Sequence, residues 1–172
     1  MDMVSVYQLK PRFQALLRPA VRWLAAQGVT ANAVTLAAAA LSVAYGALIA
    51  GMAYGAATPP VWPLLLLPAL LFIRMGLNAI DGMLAREHNQ TSRVGAVLNE
   101  LGDLISDAAL YLPFAFVVTL SAPLVVGAVA VALIAEATGI LAHALTGTRS
   151  YAGPMGKSDQ RRADVGDRAA RR

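Results

Sequence analysis

Apolar residues in this chain fall into four long blocks, over residues 32–52, 61–85, 94–120 and 124–145. Each reaches the roughly 20 residues that a helix needs to cross the hydrocarbon layer of a membrane. The segment AYGAATPP parts the first block from the second, and EHNQTSR parts the second from the third. SAP, with Pro123, makes a tight turn before the fourth. A backbone in lipid must satisfy its own hydrogen bonds, so each block is expected to be a helix. Ahead of them, PRFQALLRPAVRWLAAQG places Phe13, Leu16, Leu17, Ala20 and Leu24 on one face at helical spacing. Arg12, Arg18 and Arg22 lie off that face, as in a helix lying in the membrane interface. Pro19 is expected to kink or restart this helix, and Trp23 suits a headgroup-level anchor. A plain basic flank that only sets topology is the other reading. The pattern as a whole predicts an all-α polytopic membrane protein: an N-terminal interfacial amphipathic helix plus four transmembrane helices.

Composition supports that class. Of 172 residues, 58% are hydrophobic and 14% charged, less charge than a soluble domain of this size usually carries. Cysteine is absent, which removes disulfides and thiolate metal sites. The first residues lack the pattern of a cleaved signal peptide. The net charge of +4 sorts by position. Basic residues precede the first block, flank the second connection as Arg86 and Arg93, and follow the fourth block, while the first and third connections are uncharged. This asymmetry predicts cytoplasmic termini and a cytoplasmic second connection; it points to membrane topology and not to nucleic acid.

One stretch breaks the apolar pattern. NAIDGMLAREHNQTSRVGAVLNELGDLISD, residues 78–107, carries Asp81, Glu100, Asp103 and Asp107, with Asn78 and Asn99 among them. An ionisable group at mid-bilayer costs about 2.5–3.5 kcal/mol on insertion scales, so these acids need partners, water or metal. Arg74, Asn78, Asp81 and Ala85 share one helix face, and Gly95, Asn99, Asp103 and Asp107 step by four along the next helix. With a rise of 1.5 Å per residue, Asp81 lies about 8 Å, and Asp103 about 14–15 Å, in from the basic residues of the connection. Asn78, Asp81, Asn99 and Asp103 can therefore line one cavity open to the cytoplasm. Oxygen ligands from two facing helices suit a hard divalent cation, Mg²⁺ or Mn²⁺. Gly82, Gly95 and Ala85 keep the surroundings of the acids small, although small residues also serve helix packing in membranes.

The spacing of these residues resembles a known signature. Asn78, Asp81-Gly82, Ala85-Arg86, Gly95, Asn99 and Asp103 stand at the intervals of the CDP-alcohol phosphotransferase (CDP-alcohol phosphatidyltransferase) pattern, D-x2-D-G-x2-A-R-x8-G-x3-D-x3-D. VTANAVT, at the start of the first block, is similar to that family's T-P-N-x-x-T, and the resemblance covers about residues 5–158. It implies transfer of a phosphate-linked group from a CDP-activated donor, often CDP-diacylglycerol, to an alcohol or lipid acceptor, with release of CMP. It places Asn78, Asp81, Asn99 and Asp103 at the metal positions and Asp103 at that of the general base. Gly82, Ala85, Arg86 and Gly95 stand where the CDP moiety is accommodated. A bacterial inner membrane location and, for the complete form, a homodimer are implied as well.

Two departures matter. Asn78 and Asn99 replace aspartates, which keeps oxygen ligands and removes two negative charges; weaker occupancy of a second metal is expected. The family normally has six membrane helices, and after GKSD this chain reads QRRADVGDRAARR. The expected organisation is a membrane domain over 1–158, incomplete at its end, and a polar tail over 159–172, resembling a truncation, a frameshift or a divergent form. Further residues have two readings each. Asp107, about one turn deeper than Asp103, pairs with Arg74 or serves as an extra ligand. Glu136 lines the acceptor cavity, and His143 is an interfacial histidine. Arg149 and Lys157 bind an anionic acceptor or headgroup, or simply set topology. Glu100 is expected at the rim. The rival classes are a transporter or proton relay, whose acids line an ion path, and an inactive shortened family member.

Overall fold

The structure, a computed structural model, describes residues 6–54, 62–117 and 121–146. Every regular element among them is helical: α1 (Val6–Ala26), α2 (Ala31–Ala53), a 3-10 turn (Trp62–Leu66) running into α3 (Leu67–Glu87), α4 (Arg93–Tyr111), the short α5 (Phe114–Val117) and α6 (Ala122–Thr146). Met1–Leu133 and Ile134–Arg172 are two compact units, and the boundary falls within α6. Of the 159–172 tail, nothing lies within the described residues.

Among the described residues, three stretches are long and apolar enough to cross a membrane: Ala31–Ala53, Trp62–Glu87 and Ala122–Ala142. The expected third span, 94–120, is shorter than its apolar content suggested. It ends as α4 at Tyr111, and Leu112 and Pro113 separate it from α5. Proline has no N–H to give to the carbonyl four residues back, so an uninterrupted helix through Pro113 is disfavoured. With Glu100, Asp103 and Asp107, the 94–120 block is the most charged of the expected spans. Pro123, expected in a tight turn, stands in the first turn of α6, where its missing N–H has no intrahelical partner to lose.

Polar residues cap the starts of α2 and α4. Thr30 Oγ1 accepts from Ala33 N–H at 3.2 Å, and Ser92 Oγ accepts from Gly95 N–H at 2.9 Å; both are N-caps. Gln90, in the α3–α4 connection, adds a cap from outside its own helices: its Oε1 accepts from Ala31 N–H at 2.6 Å. Asn89 makes that connection possible by taking a positive φ of 55°, a conformation asparagine tolerates better than most residues.

Helix α2 is the centre of the first unit and packs on both α3 and α4. Lipid is as apolar as the side chains, so close van der Waals packing must hold such helices together. Small residues allow it. Gly46 lies so near the Ala109 carbonyl that a Cβ would overlap it, and Gly102 faces Thr35 Cγ2. Tyr45, Ile49, Leu70 and Leu110 fill the deeper part of this packing, and the Tyr45 hydroxyl donates to Pro63 O at 2.7 Å.

Helix α1 packs on α3 and runs through Pro19 without restarting. The side it turns to α3 includes Leu17 of the expected apolar face. Val21 is fully buried, packed with Ala31, Val34, Met83 and Leu84, while Leu16 and Trp23 are exposed. Burial in the protein follows Leu17, Val21 and Ala25, four residues apart, which meet α3. Arg18 donates to both carboxylate oxygens of Glu87, at 3.0 and 3.2 Å, and ties α1 to the end of α3. This pairing raises the Arg18 pKa above its ordinary value.

Candidate functional site

Two aspartates of α4 meet one arginine of α3. From α3, the Arg74 guanidinium gives Nη1 to Asp107 Oδ1 at 2.6 Å and Nη2 to Asp103 Oδ1 at 2.9 Å. Nη2 also lies 3.4 Å from the Asp103 backbone carbonyl. Asn78, one turn further along α3, donates its Nδ2 to the same Asp103 Oδ1 at 3.0 Å. A carboxylate has no proton to give, so this contact fixes the amide orientation, with nitrogen toward Asp103. The Arg74 side chain is 13% exposed and the two aspartates 31%. Arg74 Nε is buried without a hydrogen-bond partner. The expected Arg74–Asp107 ion pair is present; the second arm, to Asp103, was not foreseen.

Asp81 is held from another direction. It is 5% exposed, and its Oδ2 accepts from the Thr35 hydroxyl of α2 at 2.8 Å. Thr35 Oγ1 also lies 3.2 Å from Ala31 O. Its single proton favours the shorter bond to the ionisable group, since hydrogen bonds to charged acceptors are the stronger ones.

The remaining expected residues divide. The Arg86 guanidinium folds back over Gly82, where a Cβ would stand 3.2 Å from both of its terminal nitrogens. Gly95 makes room for Asn32 Oδ1 and Ser92 Oγ, which a Cβ would approach to 2.7 and 2.9 Å. Ala85 packs against the core cluster around Val21. Asn99 and Glu100 are half-buried on α4. Glu136, also half-buried, belongs to the second unit. The His143 side chain, Arg149 and Lys157 lie outside the described residues. Among the described residues, no group of three or more His, Cys, Asp or Glu is gathered to hold a metal ion.

Residues 28–162 match the CDP-alcohol phosphatidyltransferase family. The chain belongs to that family. It is also 54% identical over 157 residues to "Inner membrane protein YnbA" of Escherichia coli (strain K12), a match covering 91% of this chain and 75% of the relative. No solved structure matches. The family's transferase class and the membrane character of this chain thus rest on both sequence likeness and helical architecture.

Against the family pattern, the geometry adds residues that sequence reasoning had left without a role. VTANAVT had been noted only as a likeness. Its Thr30 caps α2, its Asn32 abuts Gly95 of α4, and its Thr35 holds Asp81 of α3. The signal was there: a threonine pair five apart at the start of an apolar helix places the second hydroxyl inside the membrane-buried part, where it needs a partner. Gln90 gave no comparable signal, because its partner is the backbone of a distant helix.

Proposed function

We propose that this chain transfers a phosphatidyl group from a CDP-linked lipid such as CDP-diacylglycerol to an alcohol acceptor, releasing CMP, as a step of phospholipid synthesis. The observation that carries this reading is the placement of Asp103: one carboxylate oxygen, Oδ1, is occupied by Arg74 and Asn78. Oδ2 is then the oxygen left to receive a proton. In the proposed reaction the acceptor hydroxyl gives its proton to Asp103 Oδ2. Its oxygen forms a bond to the lipid-side phosphorus of the donor. The bond from that phosphorus to the bridging oxygen breaks, and CMP leaves with that oxygen. Thr35 keeps Asp81 oriented, and Arg86, over Gly82, offers positive charge to the donor's pyrophosphate.

The donor set suits Mg²⁺ or Mn²⁺. Asp81, Asp103 and the amides of Asn78 and Asn99 offer only hard oxygen ligands, and Asn78, having turned its nitrogen to Asp103, keeps its Oδ1 as an acceptor. When bound, such an ion would supply electrostatic stabilisation of the charge developing on the departing phosphate.

The same reading places the protein in a bacterial cytoplasmic membrane with the site toward the cytoplasm. Two contacts support a common side for α1, the start of α2 and the α3–α4 connection: Arg18 with Glu87, and Gln90 with Ala31. Basic α1 and the connection with Arg86 and Arg93 then share the side that positive residues favour.

Membranes carrying the full chain, supplied with CDP-diacylglycerol and separate candidate alcohols, test this reading by mass spectrometry of the lipid products. A new phospholipid in step with CMP release is expected for one acceptor class. Products identical to those of membranes without the protein, for every acceptor, contradict it.

A further inference from the structure

Asp107 stands one turn beyond Asp103 on α4, outside the spaced motif that ends at Asp103. Yet it holds the shorter of the two ion pairs: Arg74 Nη1 reaches Asp107 Oδ1 at 2.6 Å, against 2.9 Å from Nη2 to Asp103 Oδ1. The guanidinium is a rigid planar fork, so fixing one terminal nitrogen fixes the direction of the other. Arg74 Nε is buried without a hydrogen-bond partner, and the terminal nitrogens bond to α4. The hydrogen bonds that aim this fork among the described residues therefore come from the facing helix.

The arrangement that Asp107 prevents follows from the same chemistry. An arginine facing a single carboxylate favours two parallel bonds, one to each oxygen. Were Asp107 apolar, Nη1 would be a donor without a partner in a side chain only 13% exposed, and Asp103 would be the carboxylate within its reach. The fork would then engage Oδ2 of Asp103 as well as Oδ1. With Asp107 in place, Arg74 and Asn78 both stay on Oδ1.

We propose that Asp107 is a positioning residue: by holding Arg74 Nη1 it limits the guanidinium to one oxygen of Asp103 and keeps Oδ2 open to the acceptor hydroxyl. This rests on the transfer reading above, in which Oδ2 takes the proton, and adds a residue that acts on Asp103 only through Arg74.

A second substitution separates this role from that of an ion pair that merely braces two helices. If Arg74 is what closes Oδ2 when Asp107 is lost, removing Arg74 as well reopens it, since Asn78 still holds Oδ1. If the pair only braces, removing both partners restores nothing.

The test is steady-state CMP release from CDP-diacylglycerol by the full chain in detergent, with helicity followed by circular dichroism. Asp107→Leu is expected to lower kcat at least about tenfold, as obstruction of a reacting group implies, with KM for the donor within about twofold of wild type. Arg74→Met/Asp107→Leu is expected to turn over at least about threefold faster than Asp107→Leu, a non-additivity that marks two residues acting as a unit. Should Asp107→Leu not fold, Asp107→Asn, close to aspartate in shape and without its charge, replaces it in both comparisons. A wild-type kcat in the Asp107 variant overturns the inference, as does a loss confined to KM, or a double variant no faster than the single one. Wild type and Asp103→Asn are measured alongside: equal rates in those two, or no CMP release by wild type, overturn the transfer reading itself, and the inference with it.

Discussion

The Thr35 hydroxyl donates to the Asp81 carboxylate across the contact of α2 with α3, at 2.8 Å, with both residues buried. It ties the entry motif of the first span to the acidic motif of the second. Thr35→Val keeps the shape and removes the donor. It is expected to cost about 1–3 kcal/mol, as for a buried acceptor left unsatisfied, and to reduce CMP release. Thr35→Ser should retain both. Thermal unfolding in detergent and a transfer assay, run on both variants, check this.

Helix α2 meets α4 at Gly46, where a Cβ would overlap the Ala109 carbonyl. Backbone cannot yield as a flexible side chain can. Gly46→Ala is expected to destabilise the chain by about 1–3 kcal/mol, the usual range for overpacking. Gly51, on the same helix, faces open space. Gly51→Ala should therefore leave the unfolding temperature unchanged or raise it slightly, and the comparison of the two isolates the contact from helix propensity.

The Gln90 side chain caps α2 from the α3–α4 connection. Gln90→Ala is expected to lower stability by about 1 kcal/mol, the typical worth of a lost cap. Gln90→Glu keeps the accepting oxygen and adds negative charge at a helix N-terminus, where it is favourable, so it should unfold no earlier than wild type. Hydrogen exchange at the first turn of α2 would locate the effect.

Gly82 leaves the space that the Arg86 guanidinium occupies. The guanidinium is the far end of a flexible side chain, so Gly82→Ala should cost little stability. It should raise KM for the CDP-linked donor more than it lowers kcat, because it moves a group proposed to bind the donor and leaves Asp103 in place. An equal fall in kcat at unchanged KM would count against Arg86 as a donor contact.

Much of this arrangement could be read along the chain, and the rest has physical reasons for being hidden. The long apolar blocks predicted membrane helices because lipid leaves the backbone few alternatives. Matched depth on antiparallel helices gave the Arg74–Asp107 pair as one of two readings, and the structure shows it. The apolar residues beyond Pro113 misled, since hydropathy alone extended the third span through a helix breaker. The side of α1 that meets α3, along Leu17, Val21 and Ala25, was hidden, because its burial depends on where α3 lies. Thr35, Asn32 and Gln90 act through contacts between helices distant in sequence. The second arm of Arg74 was missed for a related reason: depth pairs residues but does not reveal that one guanidinium spans two turns of the facing helix.

The central claim is that Asp103 accepts the proton of an attacking alcohol on a CDP-linked lipid. Release of CMP from CDP-diacylglycerol, measured with the purified full chain, Mn²⁺ and the acceptor identified from lipid products, tests it most directly when wild type is compared with Asp103→Asn. The account predicts acceptor-dependent release by wild type and a loss of at least about a hundredfold in Asp103→Asn, the low end of what a general base contributes, with helicity unchanged. Equal rates for the two proteins would contradict it.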